Sequence, residues 1–161
     1  MIDKIKSALG TTIKKSNEFA KETTFHIAAN DVLQVMTKLK KDFGFNYLTD
    51  IHSIDHYTDE NRFEMVYNLY NLDTKTRLRI KCKIDEENPE VESVVSVWQA
   101  ANWFEREVYD MMGIRFKNHP DLRRMYMPED FEYFPLRKEF PLIGIPNSIE
   151  LPEKEHPKGY R

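Results

Sequence analysis

Between Leu78 and Ile84 apolar and basic residues alternate without a break, with Leu78, Ile80, Cys82 and Ile84 set against Arg79, Lys81 and Lys83. A period of two sends the two sets to opposite faces, so the segment predicts a strand with one buried face and one basic, solvated face. The run before it, RFEMVYNLYNL (62–72), is rich in aromatic and β-branched residues and predicts the other arm of an antiparallel hairpin. TTFHIAA (23–29) is a further β-type run, FNYLTDIHSIDHY (45–57) alternates more loosely, and SVVSVW (93–98) predicts one more short strand.

Three segments have helical spacing instead. Ile2, Ile5 and Leu9 recur at it, and Gly10 closes the segment. A second helix is predicted over roughly 32–42, with Leu33, Met36 and Leu39 on one face and Asn30 and Asp31 offered as caps. A third starts near Trp98 and stops at Gly113, with Ala100, Ala101, Phe104, Val108, Met111 and Met112 on its apolar side. The fold class is therefore α+β, a mixed or antiparallel sheet packed by helices.

Seven of the eight prolines lie at or after Pro120, at intervals that forbid long helices and central strands. The same stretch is punctuated by Leu122, Met125, Tyr126, Phe131, Tyr133, Phe134 and Phe140, so it is not a compositional linker. It predicts an extended, proline-rich C-terminal arm with no periodic face to lay on its own domain, part of it resting on another subunit. The organisation expected is an N-terminal helical extension over 1–20, an α+β core over 21–117 and the arm over 118–161.

At 161 residues the chain suits one domain. With 24 Lys and Arg against 27 Asp and Glu, a sequence-independent grip on nucleic acid is not expected. Cys82 is the only cysteine, which excludes an internal disulfide and a four-thiolate iron-sulfur site. No window reaches the apolar length of a membrane span, and the N-terminal residues lack the apolar stretch of a signal peptide.

Candidate chemistry concentrates in the third helix. Glu105 falls at the edge of the apolar arc, Trp103 sits with Glu107 and Asp110 on the polar side, and Arg106 and Asp110 stand one turn apart where they can pair. Glu105 and Glu107 are two residues apart and point away from each other, so they cannot share a substrate. No Glu-x-x-His pair is present for a metal. His52, Asp55 and His56 are a second candidate, but in a strand the two histidines stand about 13 Å apart. His119, followed by Pro120, reads as a surface histidine. Arg123, Arg124, Arg137 and Lys138 suit protein contact, where arginine forms bidentate pairs.

The order Glu105, Arg106, Glu107, Tyr109, Asp110, Gly113, Ile114, Phe116, continued by His119, Pro120, Leu122, Arg123, Arg124, Pro128, Asp130, Pro135, Leu136, Arg137, Lys138, Phe140 and Pro141, resembles a known family. It is that of the 30 kDa-type subunit, also called the C subunit, of the proton-translocating NADH:quinone oxidoreductase, respiratory complex I. The resemblance covers roughly residues 23–142, and departs from the family where Phe131 and Tyr133 replace the usual Trp and Gly before Pro135. It implies a non-catalytic subunit of the peripheral arm that supports electron transfer from NADH to quinone coupled to proton translocation. No cofactor is expected on this chain, FMN and the iron-sulfur clusters belonging to other subunits. The implied partners are other peripheral-arm subunits, chiefly the quinone-site subunit. The implied location is the cytoplasmic face of the bacterial inner membrane, reached through the complex alone. Trp103, Glu105, Arg106, Glu107, Asp110, Gly113, His119, Pro120, Arg123, Arg124, Pro135, Arg137 and Lys138 are then the candidate interface and motif residues. Three readings stand beside it: the equivalent subunit of a membrane-bound nickel-iron hydrogenase or another dehydrogenase, a small metal-dependent hydrolase built on His52, Asp55 and His56, and a free-standing binding module.

Overall fold

The computed structural model describes residues 1–57, 61–141 and 144. Ten elements follow in order: α1 (Ile2–Leu9), β1 (Lys15–Phe19), β2 (Glu22–Ile27), α2 (Val32–Phe43), β3 (Tyr47–Asp55), β4 (Phe63–Asn71), β5 (Thr76–Ile84), β6 (Glu90–Glu92), α3 (Ala101–Met112) and β7 (Arg115–Lys117). Five strands form one sheet in the order β1-β2-β5-β4-β3, with β2 and β5 parallel and every other pair antiparallel. β6 and β7 make a small parallel pair. The α+β class and the β4–β5 hairpin are as the alternation predicts.

Register explains the layering. Phe25, Ile80, Tyr67 and Ile51 lie in one row across four strands, all buried, and they join Ile5, Met36, Leu39, Ala101 and Val108 from the helices in one core. The opposite row, Lys15, His26, Lys81, Val66 and His52, belongs to the polar face of the sheet. Strand alternation thus assigns all three helices to one side.

Several local expectations are corrected. The buried stripe of α2 is Val32, Val35, Met36 and Leu39, with Leu33 only half-buried, and neither Asn30 nor Asp31 caps the helix; a single 3-10 turn over Ala29–Asp31 leads into it. The strand expected over 93–98 is instead β6 at 90–92, followed by turns, and α3 begins three residues after Trp98. β1 falls within the stretch expected as a helical extension; all five of its residues are exposed, so no apolar alternation marks it. Its turn into β2 holds Ala20 at φ 50° and Lys21 at φ 65°. Left-handed backbone in residues with a Cβ costs roughly 1 kcal/mol each.

The described part of the arm has no helix or strand after β7, as its prolines require, but it does find a face on its own domain. Leu122 packs against the core, and Leu136 N–H donates to Met111 O at 3.1 Å. What ties it down is mainly polar, which is why a search for apolar periodicity misses it. Leu142, Pro146, Pro152 and the rest of the arm after Gly144 lie outside the described residues.

Candidate functional site

α3 and the arm form one unit around Asp110. The helix buries this carboxylate completely, at 0% exposure, and the arm supplies its partners. Met125, Tyr126 and Met127 donate their backbone N–H groups to Oδ2 at 2.9, 2.6 and 3.0 Å, and Arg124 Nη1 donates to Oδ1 at 2.7 Å. Burial opposes ionisation here, but the three amides and the guanidinium outweigh it and hold the carboxyl below its usual range. Arg124 also donates to the carbonyls of Phe131 and Tyr133 and lies over the rings of Phe131 and Phe134. The expected Arg106–Asp110 pair is not formed. Arg106 donates instead to the carbonyls of Arg123 and Arg124, at 3.1 and 3.3 Å, and covers the Trp103 ring at 5.1 Å. Arg124 reaches Asp110 from the arm through Nη1 alone, its Nη2 turned to the Phe131 and Tyr133 carbonyls, and Arg106 is left to cap the arm's carbonyls.

A second knot lies at the end of β3. Asp55 takes two hydrogen bonds of 2.7 Å from Arg62 Nε and Nη2, and one of 2.8 Å from the Lys138 N–H. The Arg62 bonds chiefly hold its carboxyl well below the ordinary carboxylate range, against the burial that raises it. Arg62 is itself buried and also pairs with Glu86 and Glu139. Asp55 is therefore committed to the arm, and the ring of His52 is held by Asp50 at 2.5 Å. The His52, Asp55 and His56 set does not converge, and among the described residues no group of three such side chains is placed to hold a metal.

Gly113 joins the knots. It ends α3 in the left-handed conformation (φ 75°, ψ 18°), and a Cβ there would lie 2.6 Å from both Arg137 Nη2 and the Phe134 ring. Arg137 can approach so closely only because glycine stands there; it donates to Met112 O at 2.8 Å and stacks on Phe134 at 4.5 Å and on Phe63 at 5.1 Å. A cation at the helix C-terminus also meets the negative end of the helix dipole.

Glu105 faces inward. Ser93 Oγ donates to it at 2.6 Å and Val94 N–H at 2.7 Å, yet burial pushes its pKa up to about 7. The His119 ring stands 3.9 Å away. Its side chain is fully buried, which corrects the expectation of a surface histidine. Nδ1 accepts from Asp121 N–H at 3.0 Å, so Nε2 carries the proton and faces Asn102 O at 3.3 Å. Burial lowers the pKa of the ring, and the Asn102 carbonyl only partly offsets it.

The candidate residues thus separate into two groups. Glu105, Asp110, Gly113, His119, Arg124 and Arg137 are brought together beneath the surface, with Arg106 and the half-buried Pro135 at its edge. Trp103, Glu107, Pro120, Arg123 and Lys138 are exposed or at the rim, and Arg123 is clasped by Asp121. Trp103 is 60% exposed, and Tyr126, Tyr133 and Leu136 of the arm also present large apolar groups to solvent. Arg62 escapes sequence reasoning: it stands beside the dense apolar run of β4, and only its partner Asp55, 7 residues earlier, gives it meaning.

Comparison with known proteins matches this unit and the core that carries it. Residues 25–146 fit the family described as respiratory-chain NADH dehydrogenase, 30 Kd subunit. The NADH-quinone oxidoreductase C subunit of Geotalea uraniireducens is 40% identical over 156 residues, 97% of this chain and 91% of the relative. The corresponding C 2 subunit of Rhizobium etli is 56% identical over 105 residues, 65% of this chain and 56% of the relative. Among solved structures, the trypsin-resistant fragment of Nqo5 aligns with a TM-score of 0.67 at 30% identity, covering 75% of this chain and 98% of the fragment. A chain of the membrane-bound sulfane sulfur reductase, an archaeal respiratory membrane complex, aligns with a TM-score of 0.74 at 19% identity over 96% of both chains, a likeness of fold alone. The chain belongs to the family of the 30 kDa subunit of respiratory-chain NADH dehydrogenase.

Proposed function

We propose that this chain works as the 30 kDa-type subunit of an NADH–quinone oxidoreductase, and that its own part is to dock rather than to catalyse. The observation that supports this is how the ionisable groups are spent. Asp110 and Asp55 each hold the arm, Glu105 is sealed against Ser93 and Val94 just after β6, and the large apolar groups left outward on α3 and the arm are Trp103, Tyr126, Tyr133 and Leu136, among exposed charged residues that include Glu107. Exposed aromatic groups beside a carboxylate suit a protein contact, because aromatic anchors carry much of the affinity of such interfaces. A reacting group needs access to substrate, which the buried acids lack.

On this reading the candidate residues divide by task. Trp103, Glu107, Pro120, Arg123 and Lys138 meet the neighbouring peripheral-arm subunits, chiefly the one that holds the quinone site. The others shape the surface from below. FMN and iron-sulfur clusters sit on other chains, and the membrane is met through the complex at its cytoplasmic face; no helix among the described residues is long and apolar enough to cross it.

The test replaces Trp103 and Leu136 by alanine together. The purified variant is expected to melt at the parent's temperature, while the amount recovered in a large NADH-oxidising band on native gels of source membranes falls at least fivefold. A complex assembled in normal yield but unable to pass electrons to quinone would overturn the docking role. Recovery in a large band without NADH oxidation would replace the oxidoreductase by another respiratory complex.

A further inference from the structure

The two arginines that bracket residues 125–136 turn inward, and the acids between them turn outward. Arg124 is spent on Asp110 and on the carbonyls of Phe131 and Tyr133, and Arg137 on the Met112 carbonyl. Between them the sequence has no Lys, Arg or His, and it has Glu129, Asp130 and Glu132. All three are exposed, and among the described residues none of them accepts a hydrogen bond or forms an ion pair. Arg123 attracts Glu129 only from beyond ion-pair distance, and it is already clasped by Asp121. An ordinary solvated surface mixes both signs.

These carboxylates stand on a braced loop. Phe131 N–H donates to Pro128 O at 3.1 Å and closes a turn with Glu129 and Asp130 at its centre. Asp110 holds the chain before the turn through the amides of 125–127, and Arg124 holds it after the turn through the carbonyls of 131 and 133. The acids are therefore presented with little ordering left for a partner to impose. Tyr126 and Tyr133 flank the turn at 60% and 48% exposure. Trp103, Glu107 and Asp110 follow one another along α3 at spacings of four and three, so the exposed Glu107 lies between Trp103 and the docked arm and extends the same sign onto the helix.

The chemistry of the rim narrows its partner. Among the described residues no group of three acids or histidines is placed to hold a metal, so the three carboxylates are not a cation cage. Their charge repels nucleic acid and the anionic face of a membrane. Tyrosine rings beside unpaired carboxylates suit arginine, whose guanidinium pairs with an acid at its edge and stacks on an aromatic ring through its face.

We infer that the turn at 128–133, flanked by Tyr126 and Tyr133, docks a basic, arginine-bearing patch on the surface of a neighbouring subunit, which pairs with Glu129, Asp130 and Glu132. This rests on the docking role proposed above and adds to it the sign of the surface on the other side. Charge of this kind selects the partner and speeds its approach more than it tightens the final complex.

The test is made on the full chain in the cells that produce it. Benzoylphenylalanine in place of Tyr126 is photo-cross-linked in intact membranes, and mass spectrometry maps the captured segment. A segment of one other subunit with at least two Arg or Lys is expected. The combined substitutions Glu129→Gln, Asp130→Asn and Glu132→Gln remove three charges and no internal bond, so the purified variant should melt as the parent does. Its cross-link yield should fall at least tenfold. Added salt should lower the parent's yield and leave the neutralised variant's unchanged, a comparison that holds on the parent whatever the variant's fold. Capture of an acidic or uncharged segment, of lipid or of a second copy of this chain would overturn the inference, as would no capture or a yield indifferent to both neutralisation and salt. If assembly falls with Trp103→Ala and Leu136→Ala while the neutralised turn still cross-links as the parent does, the charge assignment alone fails. Assembly untouched by that alanine pair would remove the docking role, and the assignment with it.

Discussion

Asp110→Asn preserves the size of the side chain and removes its charge, which isolates what the carboxylate does. Its two oxygens receive four donors, three backbone N–H groups on one and Arg124 on the other. An asparagine that turns its oxygen to the amides sets its NH2 against Arg124; reversed, it strands the three amides. Breaking a buried charged pair costs about 3 to 5 kcal/mol, and Arg124 keeps a 10% exposed side chain, so the low end, about 3 kcal/mol, applies. The loss falls on opening of the arm, since the sheet and helices pack without it. At about 1.4 kcal/mol per tenfold, exchange of the Met125, Tyr126 and Met127 amides should accelerate roughly 100-fold. Hydrogen exchange read by NMR or mass spectrometry measures this, with β4 and β5 amides as the internal control. Unchanged protection at 125–127 would refute the latch, and equal acceleration in β4 and β5 would refute its local character. The folded pKa of Asp110 is depressed, so its contribution is present above the ordinary carboxylate range near pH 4 and is lost as pH falls through the lower folded value.

Gly113→Ala places a Cβ in left-handed backbone and against Arg137 and Phe134, a combined loss of about 2 to 3 kcal/mol. A melt should show a drop of roughly 5 to 10 °C; an unshifted midpoint would mean the close approach is not made in solution. Glu105 has a folded pKa raised from 4.5 to about 7, so its protonated form is favoured by folding. Its stabilisation is complete below about pH 4.5 and is lost as pH rises to 7, a difference of about 3 kcal/mol. Glu105→Gln mimics the protonated acid. It should match the parent in urea unfolding at pH 4.5 and exceed it at pH 8.5, whereas parallel pH profiles would place the proton elsewhere.

The hairpin β4–β5 could be read from the chain because water touches one of its faces and the core the other, so its chemistry alternates. β1 could not, because a strand exposed on every residue has no reason to alternate. The arm's retreat onto its own domain was hidden for a different reason. What holds it is Asp110 under three amides and Asp55 under Lys138, and backbone N–H groups leave no trace in a sequence. The sequence order from Glu105 to Pro141 named residues that the fold joins through α3 and the arm, yet it could not say that Arg124, rather than Arg106, would answer Asp110. Helical spacing proposed the nearer partner, and a non-helical connection supplied the one that binds. His119 shows the same limit: a histidine before proline gives no sign of burial until the helix it meets is in place.

The bond between Lys138 and Asp55 spans 83 residues. Its carboxylate is made earlier in synthesis and its amide late, with β4, β5 and α3 translated between them. At roughly 5 to 20 residues per second on the ribosome, the nascent chain waits several seconds with Asp55 lacking the amide it will hold. Once α3 is made it lacks the cover that residues 118–141 give it until the arm follows, and the exposed Trp103 is not yet joined by Tyr126 and Leu136. A neighbouring subunit that reads this face cannot engage a half-made chain. On the proposed docking role, association through this face begins only after translation has passed the arm.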